Sequence, residues 1–180
     1  MTEARMEQLT DNCVRRAVEL LAIDSPTCYT WMAAEHVADA FRSMGLEPEM
    51  TRKGGVLVCL NPEAGAEDAV LLEAHLDTLG GMVAEISGAG RLYLTPLGGM
   101  EPNNAEGENV RIVTRSGKVY TGTFQMKNAS VHVNGDYHTA KREYKGMEVV
   151  IDEEVSSRED VEKLGIMQGD IVCFDSRTVV

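Results

Sequence analysis

At 180 residues, with 43% apolar and 26% charged side chains, the chain is long enough for one or two domains with an adequate core. Its formal net charge of −12 argues against nucleic acid, because phosphate binding needs clustered Lys and Arg, and Arg15-Arg16 and Lys141-Arg142 read as solvated faces. No apolar run reaches the roughly 18 residues of a membrane span, and no basic, then apolar, then small-residue leader opens the chain, so a cytoplasmic protein and no membrane partner are expected.

The first predicted element is a helix from Glu3 to Ala22, with Met6, Leu9, Cys13, Val14, Ala17, Val18, Leu20 and Leu21 on a broad apolar stripe. A second helix spans Tyr29 to Met44 and carries Trp31, Val37 and Phe41, with Gly45 as its stop signal. His36 lies in it and reads as a packing or surface residue. Strand-like runs follow at Glu47–Thr51, Gly55–Leu60 and Ala69–Ala74, separated by Gly-Gly and Asn-Pro turns. The four cysteines, Cys13, Cys28, Cys59 and Cys173, have no C-x-x-C spacing and read as reduced, mostly buried thiols.

The apolar run at 69–74 stops at His75-Leu76-Asp77 and the Gly80-Gly81 pair. Open α/β sheets place ligands beyond the carboxyl ends of their strands. On a strand, His75 and Asp77 point to one side, about 6 to 7 Å apart. One imidazole nitrogen then ligates a divalent metal while the carboxylate orients and charges it. The competing reading is a pair of satisfied strand-end polar residues, since a zinc site needs three or four ligands.

After Gly81 the pattern changes to short strands. Met82–Ile86 and Arg91–Thr95 form one predicted hairpin, and Val110–Thr114 and Val119–Phe124 another. Further strands are expected at Ser130–Val133, Met147–Ile151 and Ile171–Phe174. Ser156-Ser157-Arg158-Glu159 matches a capping box that opens a helix ending at Gly165. Short strands with Gly turns suggest a small β-barrel or sandwich. His132 and His138 flank Asn134-Gly135-Asp136, which reads as a turn before it reads as a metal loop; Glu153-Glu154 reads as a solvated acidic turn.

Several of these segments, in order, carry a family resemblance. Glu73 through Ile86, followed by Leu94-Thr95-Pro96-Leu97-Gly98-Gly99, resembles the signature of the dinuclear metallo-aminopeptidases that include glutamyl, deblocking and tetrahedral-particle (TET) aminopeptidases. Ile23-Asp24-Ser25-Pro26-Thr27 resembles the family's Ser-Pro-(Ser/Thr)-Gly turn, and Val161 through Asp170 its Glu-Leu-Gly-Ile-x-x-Gly-Asp stretch. Cys28 stands where the family usually has Gly, and Thr78 where many members carry Glu.

The resemblance implies an α/β fold. Residues 1–80 would be the N-terminal part of a peptidase sheet domain, 81–170 an inserted, β-barrel-like (PDZ/PA-like) dimerisation domain, and 171–180 a return toward the rest of the catalytic domain. It also implies two divalent ions, zinc or cobalt, a peptide substrate, and homo-oligomers from a dimer to a twelve-subunit shell. Members run to nearly twice this length, and a bridging Asp, a Glu-Glu pair holding the general base, another Asp and a final His come from their second half. Only His75 carries over as a metal ligand, with Asp77 behind it as the catalytic residue that orients it; His132 stays a minor candidate for substrate contact.

The expectation is therefore the N-terminal portion of a metal-dependent aminopeptidase that removes N-terminal residues by a two-metal-activated water. With most ligands missing, the metal site is expected to be incomplete and this chain alone inactive, and a separate C-terminal half is a possible partner. The alternative is a truncated or split chain acting only as an oligomerisation module. Carbohydrate hydrolysis, a third reading, would need a carboxyl pair flanking a sugar site, and none is identifiable.

Overall fold

The computed structural model describes residues 1–180 apart from Ala64, Ala66 and Asp68. The chain divides into two compact units, Met1–Asp77 with Ser176–Val180, and Thr78–Asp175. Together their elements make an α/β chain of three α-helices and eight strands among the described residues.

In the first unit, α1 spans Glu3–Leu21 and α2 spans Trp31–Ser43. Thr2 caps α1, its hydroxyl accepting from the Arg5 N–H at 3.3 Å. The apolar stripe read from the sequence is present on α1, yet none of its residues is buried: Met6 is 49% exposed and Leu21 47%. By contrast α2 buries Ala33, Ala34 and Ala38 completely, a face of small side chains that lets neighbouring backbone approach closely. The strands here are short, β1 (Glu49–Met50) pairing antiparallel with β2 (Val56–Leu57). The predicted strand at 69–74 has no ladder pairing, and Val70, Leu71 and Leu72 are 82%, 73% and 82% exposed. A run apolar on both faces is the pattern of an interior strand with neighbours on each side; without them its backbone lacks the ladder that defines a strand.

The second unit is a closed antiparallel barrel of six strands in the order β3-β4-β7-β6-β5-β8. They are β3 (Gly80–Ile86), β4 (Leu92–Leu97), β5 (Asn109–Val113), β6 (Val119–Met126), β7 (Met147–Ile151) and β8 (Ile171–Phe174). Both predicted hairpins form, β3 with β4 and β5 with β6. Closure comes from β8, which pairs with β3 and β5 at once, so residues 171–174 belong to the barrel although the sequence reading put them in a return segment. Alternating side chains of all six strands fill the interior, with Phe124, Leu92, Ile112, Met147 and Val149 at 0–1% exposure. Gly122 is required where β6 meets β7: a Cβ there would lie 2.5 Å from the Val150 carbonyl oxygen.

Helix α3 (Arg158–Leu164) plugs the barrel with Val161 and ends at Gly165, as expected. Its cap is shifted by one residue from the sequence reading: Ser157 accepts from the Asp160 N–H at 3.2 Å, and Asp160 Oδ2 accepts in return from the Ser157 hydroxyl at 2.8 Å. The predicted strand at 130–133 is instead part of a turn-rich connection between β6 and β7. Asn134 Oδ1 accepts from the Asp136 N–H at 3.0 Å, the side chain-to-backbone bond expected of that turn. Arg142 ties this connection down, donating to Glu106 at 2.8 Å and to the Tyr137 and Ala140 carbonyls at 2.7 and 2.9 Å.

No helix among the described residues is long and apolar enough to cross a membrane. The expectation of mostly buried thiols is corrected: Cys13, Cys28 and Cys59 are exposed and Cys173 is buried. Cys13 belongs to the uncovered stripe of α1, which explains its exposure.

Candidate functional site

His75 and Asp77 lie in the unpaired stretch that follows the apolar run. They do not stand side by side on a strand; the chain curls so that His75 Nδ1 lies 2.9 Å from the Asp77 backbone oxygen and 3.2 Å from Asp77 Oδ1. Both neighbours of Nδ1 are acceptors only. Neutral His75 therefore carries its proton on Nδ1 and a lone pair on Nε2, and its side chain is 85% exposed.

Two hydroxyls from the Ser25-Pro26-Thr27 turn hold this arrangement from behind. Ser25, 1% exposed, donates to the Leu76 carbonyl at 2.9 Å. Thr27 donates to Asp77 Oδ2 at 2.7 Å. That bond above all holds the Asp77 carboxyl below the usual carboxylate range; partial desolvation, the next largest effect, opposes it, and the neighbouring His75 adds to the lowering. The result is a chain of contacts, Thr27 to Asp77 to His75, that fixes the imidazole and leaves Nε2 outward.

The Ser-Pro-Thr turn was visible in the sequence only as part of a family pattern; fifty residues separate Thr27 from Asp77, and no local periodicity reports such a contact. The next residue shows why the family usually has Gly there: Cys28 has φ 73°, in the left-handed region where a side chain is strained.

A neutral imidazole whose other nitrogen donates to a carboxylate is the usual arrangement behind a bound divalent metal, so these residues fit a zinc or cobalt ion as one donor of its set. Such a site needs three or four donors. Among the described residues no three His, Cys, Asp or Glu side chains are gathered to hold a metal ion. His36 packs half-buried with Nε2 4.0 Å from Glu19. His132 is exposed, and His138 stacks edge-on against Tyr137 at 5.4 Å. Glu153 and Glu154 are exposed outside any helix or strand.

Residues 54–180 match the family described as M42 glutamyl aminopeptidase. The chain is 41% identical over 162 residues to YhfE of Bacillus subtilis (strain 168), named as an aminopeptidase, covering 90% of this chain and 46% of that protein. It is 25% identical over 140 residues to the glutamyl aminopeptidase of Lactococcus lactis subsp. cremoris (strain MG1363), covering 76% and 38%. In fold it is similar to an aminopeptidase from the archaeon Desulfurococcus kamchatkensis, with a TM-score of 0.77 at 24% identity over 93% of this chain and 44% of that one. The chain thus spans less than half the length of these relatives. With four family-like segments in order and the match covering 54–180, the chain belongs to the M42 glutamyl aminopeptidase family.

Proposed function

We propose that this chain is the N-terminal portion of a metal-dependent aminopeptidase acting on the free amino end of peptides. The observation that carries the reading is the Thr27–Asp77–His75 chain, which leaves one neutral imidazole nitrogen outward. His75 is the metal ligand contributed by this portion, through Nε2. Asp77 is the residue that orients the imidazole, and Thr27 restrains Asp77. Two divalent ions of the zinc or cobalt kind supply, when bound, polarisation of the scissile carbonyl and activation of water at neutral pH. The remaining donors and the general base come from a polypeptide corresponding to the half of the relatives that this sequence does not span. The exposed stripe of α1 and the exposed run at 70–72 are the surfaces that such a polypeptide would cover. A net charge of −12 favours approach of cationic amino termini. A cytoplasmic location is part of the same reading.

The barrel unit is, in this proposal, the inserted PDZ/PA-like dimerisation domain, placed at about 81–170 in the sequence, and the assembled protein is a homo-oligomer between a dimer and a dodecamer. A second reading, an oligomerisation module without catalysis, is favoured by one observation: the barrel has a closed core of its own.

Mixing separates the two. The 180-residue chain is co-expressed with the C-terminal half of the Bacillus subtilis relative, and aminoacyl chromogenic substrates are assayed with added zinc or cobalt. Turnover that disappears with His75→Ala supports the peptidase reading. A stable complex without turnover, or turnover indifferent to His75→Ala, defeats it, and an oligomer of the chain by light scattering then supports the module.

A further inference from the structure

Within the barrel unit lies an open cavity of about 550 Å³ lined by Ile86, Arg115, Arg158, Glu162, Met167 and Gln168. Its size falls in the ordinary range of small-molecule sites. Met167, 50% exposed, supplies most of the apolar surface, with the largely buried Ile86 at its floor, and the other four side chains are polar.

Arg115 is held in place. It reaches from the β5–β6 turn, and its Nη2 donates to the Gln168 carbonyl at 2.9 Å. Its Nε lies 4.0 Å from Oδ1 of Asp170, a carboxylate with no exposed side-chain surface. Asp170 Oδ2 accepts from the Met167 N–H at 2.7 Å, while Oδ1 has no hydrogen-bond partner among the described residues, so the charge of Arg115 is its nearest compensation. Gly169 makes the room: a Cβ there would lie 2.9 Å from Arg115 Nη2. The wall is equally fixed, because Gln168 Nε2 donates to the Ala84 carbonyl at 3.0 Å and Gly169 N–H to the Val83 carbonyl at 2.8 Å.

Arg158 and Glu162 stand four residues apart on α3, the spacing at which opposite charges commonly pair. They form no ion pair with each other or with another described residue, and the adjacent Lys163 is engaged by Asp160 at 3.0 Å. The cavity therefore presents a restrained guanidinium, an unpaired guanidinium and an unpaired carboxylate beside apolar surface. With Asp170 behind, the positive and negative charges balance. A simple anion would meet Glu162 and an Arg115 whose charge is already drawn on by the buried Asp170, and a simple cation would meet two arginines.

We propose that this cavity binds a small zwitterion with a free ammonium and a free carboxylate, an amino acid or a dipeptide. The carboxylate sits on Arg115 and Arg158, the ammonium on Glu162, and an apolar side chain over Met167. Arg suits this task because its planar fork grips a carboxylate with two bonds. The cavity shares no residue with the Thr27–Asp77–His75 chain and does not depend on the reading of the preceding subsection.

The test titrates the ¹⁵N-labelled 180-residue chain with L-leucine, L-leucyl-L-leucine, N-acetyl-L-leucine and L-leucinamide, following backbone amide shifts. Saturable shifts at Arg115, Glu162, Gln168 and Gly169 are expected with one or both zwitterions, and the tighter of the two identifies the source. Each blocked analogue is expected to bind at least about tenfold more weakly, as are Arg158→Ala and Glu162→Gln, whose exposed side chains leave the barrel core untouched. The proposal is overturned if these amides do not shift, or if the blocked analogues bind as well as the zwitterions. Shifts confined to Thr27, His75 and Asp77 also overturn it, and they leave the peptidase reading standing.

Discussion

Replacing Thr27 by Val removes one hydroxyl while keeping the branched shape of the side chain. In the native arrangement that hydroxyl donates to Asp77 Oδ2 at 2.7 Å, and Asp77 Oδ1 lies 3.2 Å from His75 Nδ1. Partners that orient a metal-binding histidine typically contribute 10- to 100-fold in metal affinity, which sets about the size of effect expected for Asp77→Ala. Thr27→Val leaves Asp77 and both acceptors around Nδ1 in place and loosens only the tether, so about three- to tenfold is expected, at or below the low end of that range. Thr27→Ser, which keeps the donor, should behave as the native chain. Two readouts are needed: zinc affinity of the chain co-expressed with the C-terminal half of the Bacillus subtilis relative, by competition with a chromogenic chelator, and the ¹⁵N shifts of the His75 ring, which report where its proton sits. The native ring should show the Nδ1–H form, and Thr27→Val should shift it toward a mixture with Nε2–H. The sign with pH follows from the lowered Asp77 value: its carboxylate is ionised at neutral pH and above, so this acceptor beside Nδ1 should be constant from neutral pH upward. Equal zinc affinity and equal ring shifts in Thr27→Val and the native chain would refute the reasoning. So would a Thr27→Ser variant as defective as Thr27→Val, which would assign the effect to the turn and not to the hydroxyl.

Gly122→Ala should lower barrel stability by about 2 kcal/mol, because its Cβ would sit 2.5 Å from the Val150 carbonyl oxygen and 3.0 Å from Val149 Cγ1. At about 4 to 8 °C per kcal/mol this is a fall in Tm of roughly 8 to 16 °C by calorimetry, and an unchanged Tm would contradict it. Ser157→Ala should cost about 1 kcal/mol by removing the α3 cap. The Ser157 hydroxyl, then Lys163 and the Ser156 N–H, hold the Asp160 carboxyl well below the usual range. Its contribution is fully present above the unfolded carboxylate value of about 4 and is lost as pH falls through the folded one, so denaturation curves of Ser157→Ala and the native chain should converge on acidification. Leu71→Asp and Leu72→Asp change side chains that are 73% and 82% exposed, so they should leave the chain's own unfolding within about 0.5 kcal/mol. The same pair should abolish any activity recovered on mixing with the complementary half of the relative, and recovery by the substituted chain would show that these residues are not the covered surface.

What the sequence revealed and what it hid divide along one physical line, whether the signal was local. Helices α1 and α2, the hairpins β3–β4 and β5–β6 and the stop of α3 at Gly165 are encoded within windows of a few residues, by apolar period, turn glycines and hydroxyl caps. Closure of the barrel by β8 required knowing that 171–174 pairs with strands about 60 and 90 residues earlier, and nothing in Ile171–Phe174 states which partners it takes. The run at 69–74 failed for the complementary reason. Its composition describes an environment with strands on both sides, and an intrinsic preference cannot form a ladder without a partner. His75 and Asp77 stood out as candidates because they follow that run, but the geometry deduced for them, side by side on one strand face, is replaced by a tighter curl in which Nδ1 meets two oxygens of the same residue. The curl is compatible with the chemistry expected of the strand, since a metal-binding imidazole needs its far nitrogen outward and its near nitrogen restrained, and either backbone path achieves that. Thr27, which completes the restraint, was hidden by distance in sequence. Its neighbour Cys28 points the same way: a residue tolerated at φ 73° where glycine would be unstrained marks a turn whose path is fixed by what it holds, the carbonyl of Leu76 and the carboxylate of Asp77.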